Sequence, residues 1–299
     1  MIILKNENLV LEINPLGGGI ARFYREIDGE VTEYIYGYQR EEDKAGSMGD
    51  VLFPFPGRVK NCSYSFGGQN YVLSGLRIKD GHANHGFAKQ SEWKVASSTE
   101  NEACLEFEMR AEEYKDRGFP FSLQLGLTYT LNSDGFVCQA EVKNFGQHEA
   151  PFGLGFHPYF RVGEVNTSKI NLPADKMIEF QNLEPTGKLL STDSAPFDPS
   201  GEELLGGSAV DNCFTELNFS EGRATTELIF DTTKISVWQD KDFPYLQIYS
   251  ADTLAEPHTR KAIAIEPQTC TGFALNHPEM GLITLGPGQG WQGSWGVDI

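Results

Sequence analysis

Residues 121–131 read FSLQLGLTYTL, and the fold follows from how that stretch is understood. Phe121, Leu123, Leu125, Leu127, Tyr129 and Leu131 take every second position, with Ser122, Gln124, Gly126, Thr128 and Thr130 between them. A period of two belongs to a strand, whose successive side chains point to opposite faces. One apolar and one polar face is the signature of an antiparallel sheet covered on one side. The same alternation returns in LVLEI (9–13), NYVLSG (70–75), CLEFEMR (104–110), GFVCQAEVKN (135–144), KISVW (234–238), PYLQIYS (244–250) and KAIAIEP (261–267). Turn residues punctuate the runs: Asp28-Gly29, Gly67-Gly68, Ser133-Asp134-Gly135 and Gly286-Pro287-Gly288.

Helical periodicity is weak: short candidates lie at Glu41–Lys44 and Gly201–Leu205, and both could equally be loop. Residues 192–207, rich in Ser, Pro, Asp and Gly, read as a long surface loop with strands of the same kind on either side. The expectation is one all-β domain over 1–299. The chain of 299 residues is long enough for a sizeable core, and 39% hydrophobic with 22% charged residues is the balance of a globular protein.

A net charge of −18 repels nucleic acid and anionic membrane surfaces, so neither is an expected partner. No apolar run of about 18 residues occurs, and the N-terminus lacks the pattern of a signal peptide. Five widely spaced cysteines show neither a disulfide framework nor metal-ligand spacing. A cytoplasmic monomer or weak homodimer is expected.

Four segments pair an apolar face with a polar one flanked by small residues. In GFHPYF (155–160), Phe156, Pro158 and Phe160 alternate with Gly155, His157 and Tyr159, and the following proline favours extended geometry at His157. In KAIAIEPQT, Ile263 and Ile265 oppose Ala262, Ala264 and Glu266, and the two alanines are expected to clear space beside the carboxylate as Gly155 does beside His157. In PYLQIYS, Tyr245, Gln247 and Tyr249 share a face, and in ISVW so do Ser236 and Trp238. Rings, amides and carboxylates on one concave sheet suit a sugar, whose C–H face packs on aromatics and whose hydroxyls need donors and acceptors. Each element has a plainer structural reading, and a lone strand histidine is more often a satisfied core residue than a catalyst. His82 and His85 read as turn residues, Arg58 as a surface ion-pair partner, and His148, His258 and His277 as solvent-facing.

In their order along the chain, FPGRVKNCSYSFGGQNYVL (55–73), NHGFAKQSEW (84–93), GFHPYF, VDNCF (210–214) and IAIEPQTCTGFALN (263–276) resemble the aldose 1-epimerases, also called galactose mutarotases. EINPLGGGIARF (12–23) and GPGQGWQGSW (286–295) look like that family's first hairpin and last strand, so the resemblance spans nearly the whole chain. Two departures are His85-Gly86-Phe87 where His-Gly-Gly is commonest and Lys60-Asn61 where Asn-Arg is frequent.

The resemblance implies a large antiparallel β-sandwich (the galactose mutarotase-like supersandwich) with an open sugar-binding cleft. It implies His157 as the acid that protonates the ring oxygen, Glu266 as the base at the anomeric hydroxyl and His85 as a hydrogen-bonding partner near the ring oxygen. Arg58 and Asp211 would hold hydroxyls, beside Tyr159 and Gln247 from the strand faces. The substrate would be a small-molecule sugar, with no metal or cofactor required. A hexose 6-phosphate, met by Arg58, Arg77, Lys79 and Arg161, is the second reading, and a non-catalytic carbohydrate-binding sandwich the third.

Overall fold

The computed structural model describes residues 1–299. Strand Leu123–Leu131 is buried at every second position, Leu123, Leu125, Leu127, Tyr129 and Leu131, as its alternation requires. It lies inside an eight-stranded sheet whose order is Lys94–Ser98, Glu102–Met109, Leu123–Leu131, Gly135–Asn144, Gly290–Asp298, Thr233–Gln239, Ala224–Phe230 and Lys169–Asn171. Both of its neighbours pair with it antiparallel.

A second sheet runs Glu184–Ser191, Ala174–Gln181, Asp211–Leu217, Tyr245–Tyr249, Ala262–Gln268, Gly155–Phe156 and Val51–Leu52, with Tyr159–Arg161 also paired to Ala262–Gln268. The two sheets meet across one apolar core. Phe156 of the second sheet lies 5.0 Å, ring to ring, from Trp295 of the first, and Leu246, Ile248, Ile263 and Ile265 fill the same layer. A four-stranded N-terminal meander, Ile2–Asn6, Leu9–Ile13, Ile20–Ile27 and Glu30–Glu33, joins the core through Phe23, 5.1 Å from Phe136. This is the antiparallel all-β sandwich expected.

Asp28 and Gly29, both at positive φ, close the hairpin into Glu30–Glu33 as their residue types foretell. Of the two helix-or-loop candidates, Glu41–Asp43 is a 3-10 turn and Gly201–Leu205 is loop, while Ala111–Tyr114 forms a four-residue α-helix that no pattern signalled. Two local expectations need correction. GFHPYF is two short strands rather than one, broken at His157-Pro158, because proline has no N–H with which to continue a ladder. The 192–207 segment is irregular beyond a 3-10 turn at Thr192–Ser194, yet it buries Phe197 and Leu205 in the core.

The face of the second sheet turned away from the core carries Gln247 and Tyr249 beside Glu266 and Gln268. The register Gln247↔Glu266 and Tyr245↔Gln268 places them side by side. Strand alternation therefore sends isoleucines inward and polar groups outward from the same two strands.

Candidate active site

That polar face floors a cleft of about 390 Å³. Its walls bring together all seven residues singled out above: His157, Glu266, His85, Arg58, Asp211, Tyr159 and Gln247. Gln247 Nε2 donates to Asp211 Oδ1 at 2.7 Å, and Gln268 Nε2 donates to Glu266 Oε2 at 3.0 Å, so both carboxylates are oriented by neighbouring amides.

His157 is held at the strand break. Its N–H donates to the Asp50 carbonyl and its own carbonyl accepts from Gly49, both at 3.0 Å. Its ring stacks on Tyr159 at 4.7 Å. The Nε2 atom lies 3.2 Å from Glu266 Oε1, whereas Nδ1 is buried with no hydrogen-bond partner. Both side chains are almost wholly buried. Burial opposes either charge, so it pushes His157 down to about 3 and Glu266 well above the ordinary carboxylate value. The positive charge of Lys89 adds to the first shift and the negative charge of Asp211 to the second.

His85 sits at positive φ (61°), and Gly57 N–H donates to its Nδ1 at 3.1 Å. That bond assigns the neutral ring's proton to Nε2, leaving a fixed donor in the cleft wall. Gly86, which follows at φ 68°, packs so closely on the Phe53 backbone that a Cβ there would fall 2.1 Å from the Phe53 carbonyl oxygen. Only glycine satisfies both conditions.

Arg58 reaches Asp80 at 3.1 Å while its buried Nε has no partner, so it is a cleft residue as well as an ion-pair partner. Arg77 and Lys79 also line the cleft. Arg77 donates to the Gly46 carbonyl, and Lys79, exposed at the cleft mouth, is pushed below its ordinary value by partial desolvation and by the like charge of Arg58. Arg161 does not join them: it pairs with Glu33 at 2.7 Å and stacks over Tyr36.

Other expectations fail in instructive ways. Ser236 and Trp238 belong to the opposite sheet, where Arg223 covers the Trp238 ring at 3.9 Å. Tyr245, although on the face of Gln247 and Tyr249, packs beside Ile178, Cys213 and Met280. Ala262 and Ala264 do not open room beside Glu266. Both are fully buried beneath Ala21, Tyr38 and Met48 of the N-terminal segment, and their small size admits that layer. Gly155 similarly makes way for Gln268 and Pro56. His258 bonds to the Tyr36 hydroxyl at 2.8 Å and is half-buried rather than free in solvent.

Sequence reasoning assigned no role to Gln268, Asn84, Phe180, Leu183 or Phe273, all of which line the cleft. Gln268 was within reach, being two residues after Glu266 on the same face. Phe180 and Leu183 come from the hairpin of Ala174–Gln181 and Glu184–Ser191, whose tip Asn182-Leu183 has both residues at positive φ and gives no turn signal in its leucine. No group of three His, Cys, Asp or Glu side chains is placed to hold a metal ion, and no helix is long and apolar enough to cross a membrane.

The family model described as aldose 1-epimerase matches residues 1–297. The aldose 1-epimerase of Haemophilus influenzae is 26% identical over 258 residues, covering 78% of this chain and 74% of its own. The uncharacterized protein YihR of Escherichia coli K12 is 25% identical over 267 residues, covering 88% and 82%. Among solved structures, an aldose epimerase homologue from C. elegans superposes with a TM-score of 0.86 over 99% of this chain and 97% of its own, at 18% identity. The galactose 1-epimerase of Lactobacillus acidophilus does so with a TM-score of 0.79 over 99% and 92%, at 17% identity. At those identities the structural matches establish the fold.

Proposed function

The chain belongs to the aldose 1-epimerase family, and on that premise we propose that it interconverts the α and β anomers of a free hexose or similar aldose. The observation that carries this reading is the 3.2 Å approach of His157 Nε2 to Glu266 Oε1 in a cleft of sugar size. In a cyclic hemiacetal the ring oxygen and the anomeric hydroxyl share one carbon. An acid serving the first and a base serving the second must therefore be neighbours. Glycosidases place two carboxylates about 5–9.5 Å apart across the scissile bond, and the His157–Glu266 spacing does not suit that task.

The protonation of the pair fits the same chemistry. A depressed histidine and a raised glutamate favour a neutral imidazole beside a carboxyl that keeps its proton, so the pair holds one proton from about pH 3 until Glu266 ionises. An ordinary histidine, half-protonated near its reference pKa of about 6.5, is thus the wrong picture of the free enzyme: the imidazole is neutral. That one proton has two arrangements, imidazolium with carboxylate or imidazole with carboxylic acid. As the ring opens, His157 gives its proton to the ring oxygen and Glu266 takes the anomeric one, so the pair passes from the first arrangement to the second. After rotation about C1–C2, closure on the other face reverses both transfers. Burial favours the uncharged arrangement and hence the opened sugar. In the closed complex, the hydroxyl bonding to Glu266 and the ring oxygen bonding to His157 favour the charged one.

His85 Nε2–H supplies a donor near the ring oxygen, and Tyr159 stacks against His157 to fix its ring. Arg58 and the Asp211–Gln247 pair hold hydroxyls. Polarimetry on freshly dissolved α-glucose and α-galactose tests the proposal. Acceleration that disappears in His157→Asn and Glu266→Gln is expected, and sugar binding without acceleration would instead indicate a non-catalytic carbohydrate-binding protein.

A specific observation favours one second reading. Arg58, Arg77 and Lys79 line the same cleft in a chain of net charge −18, a setting suited to a hexose 6-phosphate. Comparing kcat/KM for glucose and glucose 6-phosphate separates the readings, and Arg77→Gln should reduce only the second.

A further inference from the structure

Next to the cleft, but not lining it, three charges are buried together. Lys44 Nζ lies 2.6 Å from Asp50 Oδ1, and Lys89 Nζ lies 3.6 Å from Asp50 Oδ2. Their side chains are 11%, 3% and 6% exposed. Such a cluster is poorly explained by stability, since buried ion pairs often contribute no more than apolar groups of the same volume. Two buried ammoniums against one buried carboxylate also leave an excess of positive charge, with Glu41, 3.8 Å from Lys44, largely in solvent.

The cluster is tied to the proposed chemistry through the backbone. The Asp50 carbonyl receives the His157 N–H, and Lys89 follows His85 by one short loop, anchored where Phe87 and Ala88 both donate to the Phe53 carbonyl. After burial itself, the Lys89 ammonium is the largest influence on both His85 and His157.

We propose that Lys89 is a positioning residue: its buried ammonium, anchored on Asp50, biases the shared proton toward Glu266 and away from His157, and so favours the opened sugar. This rests on the acid/base reading of His157 and Glu266. His157 also faces Glu266, His85, Tyr159, Lys79 and Arg77, Glu266 faces Asp211, Lys79, Tyr159 and Cys213, and His85 faces Lys79 and Arg58. Lys89 faces Asp50, Lys44 and Arg77. Arg77 and Lys79 stand exposed at the mouth, where salt screens them, whereas Lys89 is shielded from salt.

The test is the pH profile of mutarotation in wild type, Lys89→Met, Lys89→Arg and Lys44→Met. Removing a nearby positive charge makes the second proton of the pair easier to hold, so K89M moves the acid limb, where wild-type Lys89 is fully charged, to higher pH by about one unit, in low and high salt alike. K89R keeps the charge and retains the wild-type limbs at neutral pH and below. K44M breaks the same ion-pair cluster away from the imidazoles and leaves both limbs in place. An unshifted acid limb in K89M, or an equal shift in K44M, overturns the proposal.

Should K89M fail to fold, the imidazole resonances of wild type decide. Burial lowers Lys89 to about 8, so the His85 and His157 shifts must step there in wild type and not in K89R; a step shared by both, or absent from both, overturns it. The two readings fail separately: full activity in H157N or E266Q defeats the acid/base pair, while their inactivity with an unshifted K89M acid limb defeats only the role of Lys89.

Discussion

Replacing His157 and Glu266 singly and together tests whether they act as one unit. Their contact of 3.2 Å, with both side chains buried, means that a proton leaving one has the other as its nearest partner. In Glu266→Gln the amide can neither take the anomeric proton nor share one with Nε2. In His157→Asn the raised glutamate keeps its proton with no imidazole to exchange it. A positioned acid or base contributes about 10²–10⁴-fold. If both transfers occur in one encounter, removing either partner forfeits both. At the low end of that range, each single variant loses about 10⁴-fold, roughly 5 kcal/mol of barrier. The double variant then falls no more than about tenfold further. Independent partners would give singles down about 10²-fold and a double down about 10⁴-fold. The assay is polarimetry on fresh α-glucose and α-galactose at pH 7, with the spontaneous rate subtracted and circular dichroism confirming the fold. Single losses that multiply in the double variant refute the one-proton pair.

Four further outcomes are expected. Because the pair holds one proton from about pH 3 up to the raised value of Glu266, kcat/KM at pH 4.3 stays on the plateau, whereas an unperturbed glutamate would have halved it near its reference pKa of about 4.3. A raised folded-state pKa stabilises the fold fully below the unfolded value and progressively less above it; the melting temperature of E266Q should therefore gain on wild type as pH rises from 4.5 to 7.5, and a constant difference would contradict the burial argument. Gly86→Ala drives a Cβ against the Phe53 carbonyl at positive φ and should cost more than about 2 kcal/mol in denaturant unfolding; an unchanged midpoint would show that the backbone yields freely there. Leu183→Asn places a residue tolerant of positive φ at the hairpin tip (φ 70°) and should add about 1 kcal/mol; a loss of stability would show that leucine packing holds the turn.

The second sheet shows how far local pattern reaches. Alternation in PYLQIYS and KAIAIEP correctly divides Leu246, Ile248, Ile263 and Ile265 from Gln247, Tyr249 and Glu266, because the pleat imposes a period of two whatever the tertiary context. The same logic assigned ISVW to the sugar face and failed, since alternation says which residues share a face and not which sheet that face belongs to. It also mistook Ala262 and Ala264 for open space. Small residues mark a close approach, and only the structure identifies the approaching layer as Tyr38 and Met48. The tip leucine of the 174–191 hairpin carried no turn signal, and Lys89 looked like any polar residue in a loop.

Taken alone, the amino-acid order determined the strands, most of their turns and the residue types able to move protons on a sugar, because backbone geometry and side-chain chemistry are local properties. The tertiary structure decided what those residues became. Cross-strand register set Gln247 beside Glu266, and the Gly49-Asp50 backbone clamped His157 so that the two groups meet at 3.2 Å. Exclusion of water then shifted both protonation equilibria. Proximity and desolvation depend on which distant segments fold over a site, and no stretch of sequence read by itself contains them.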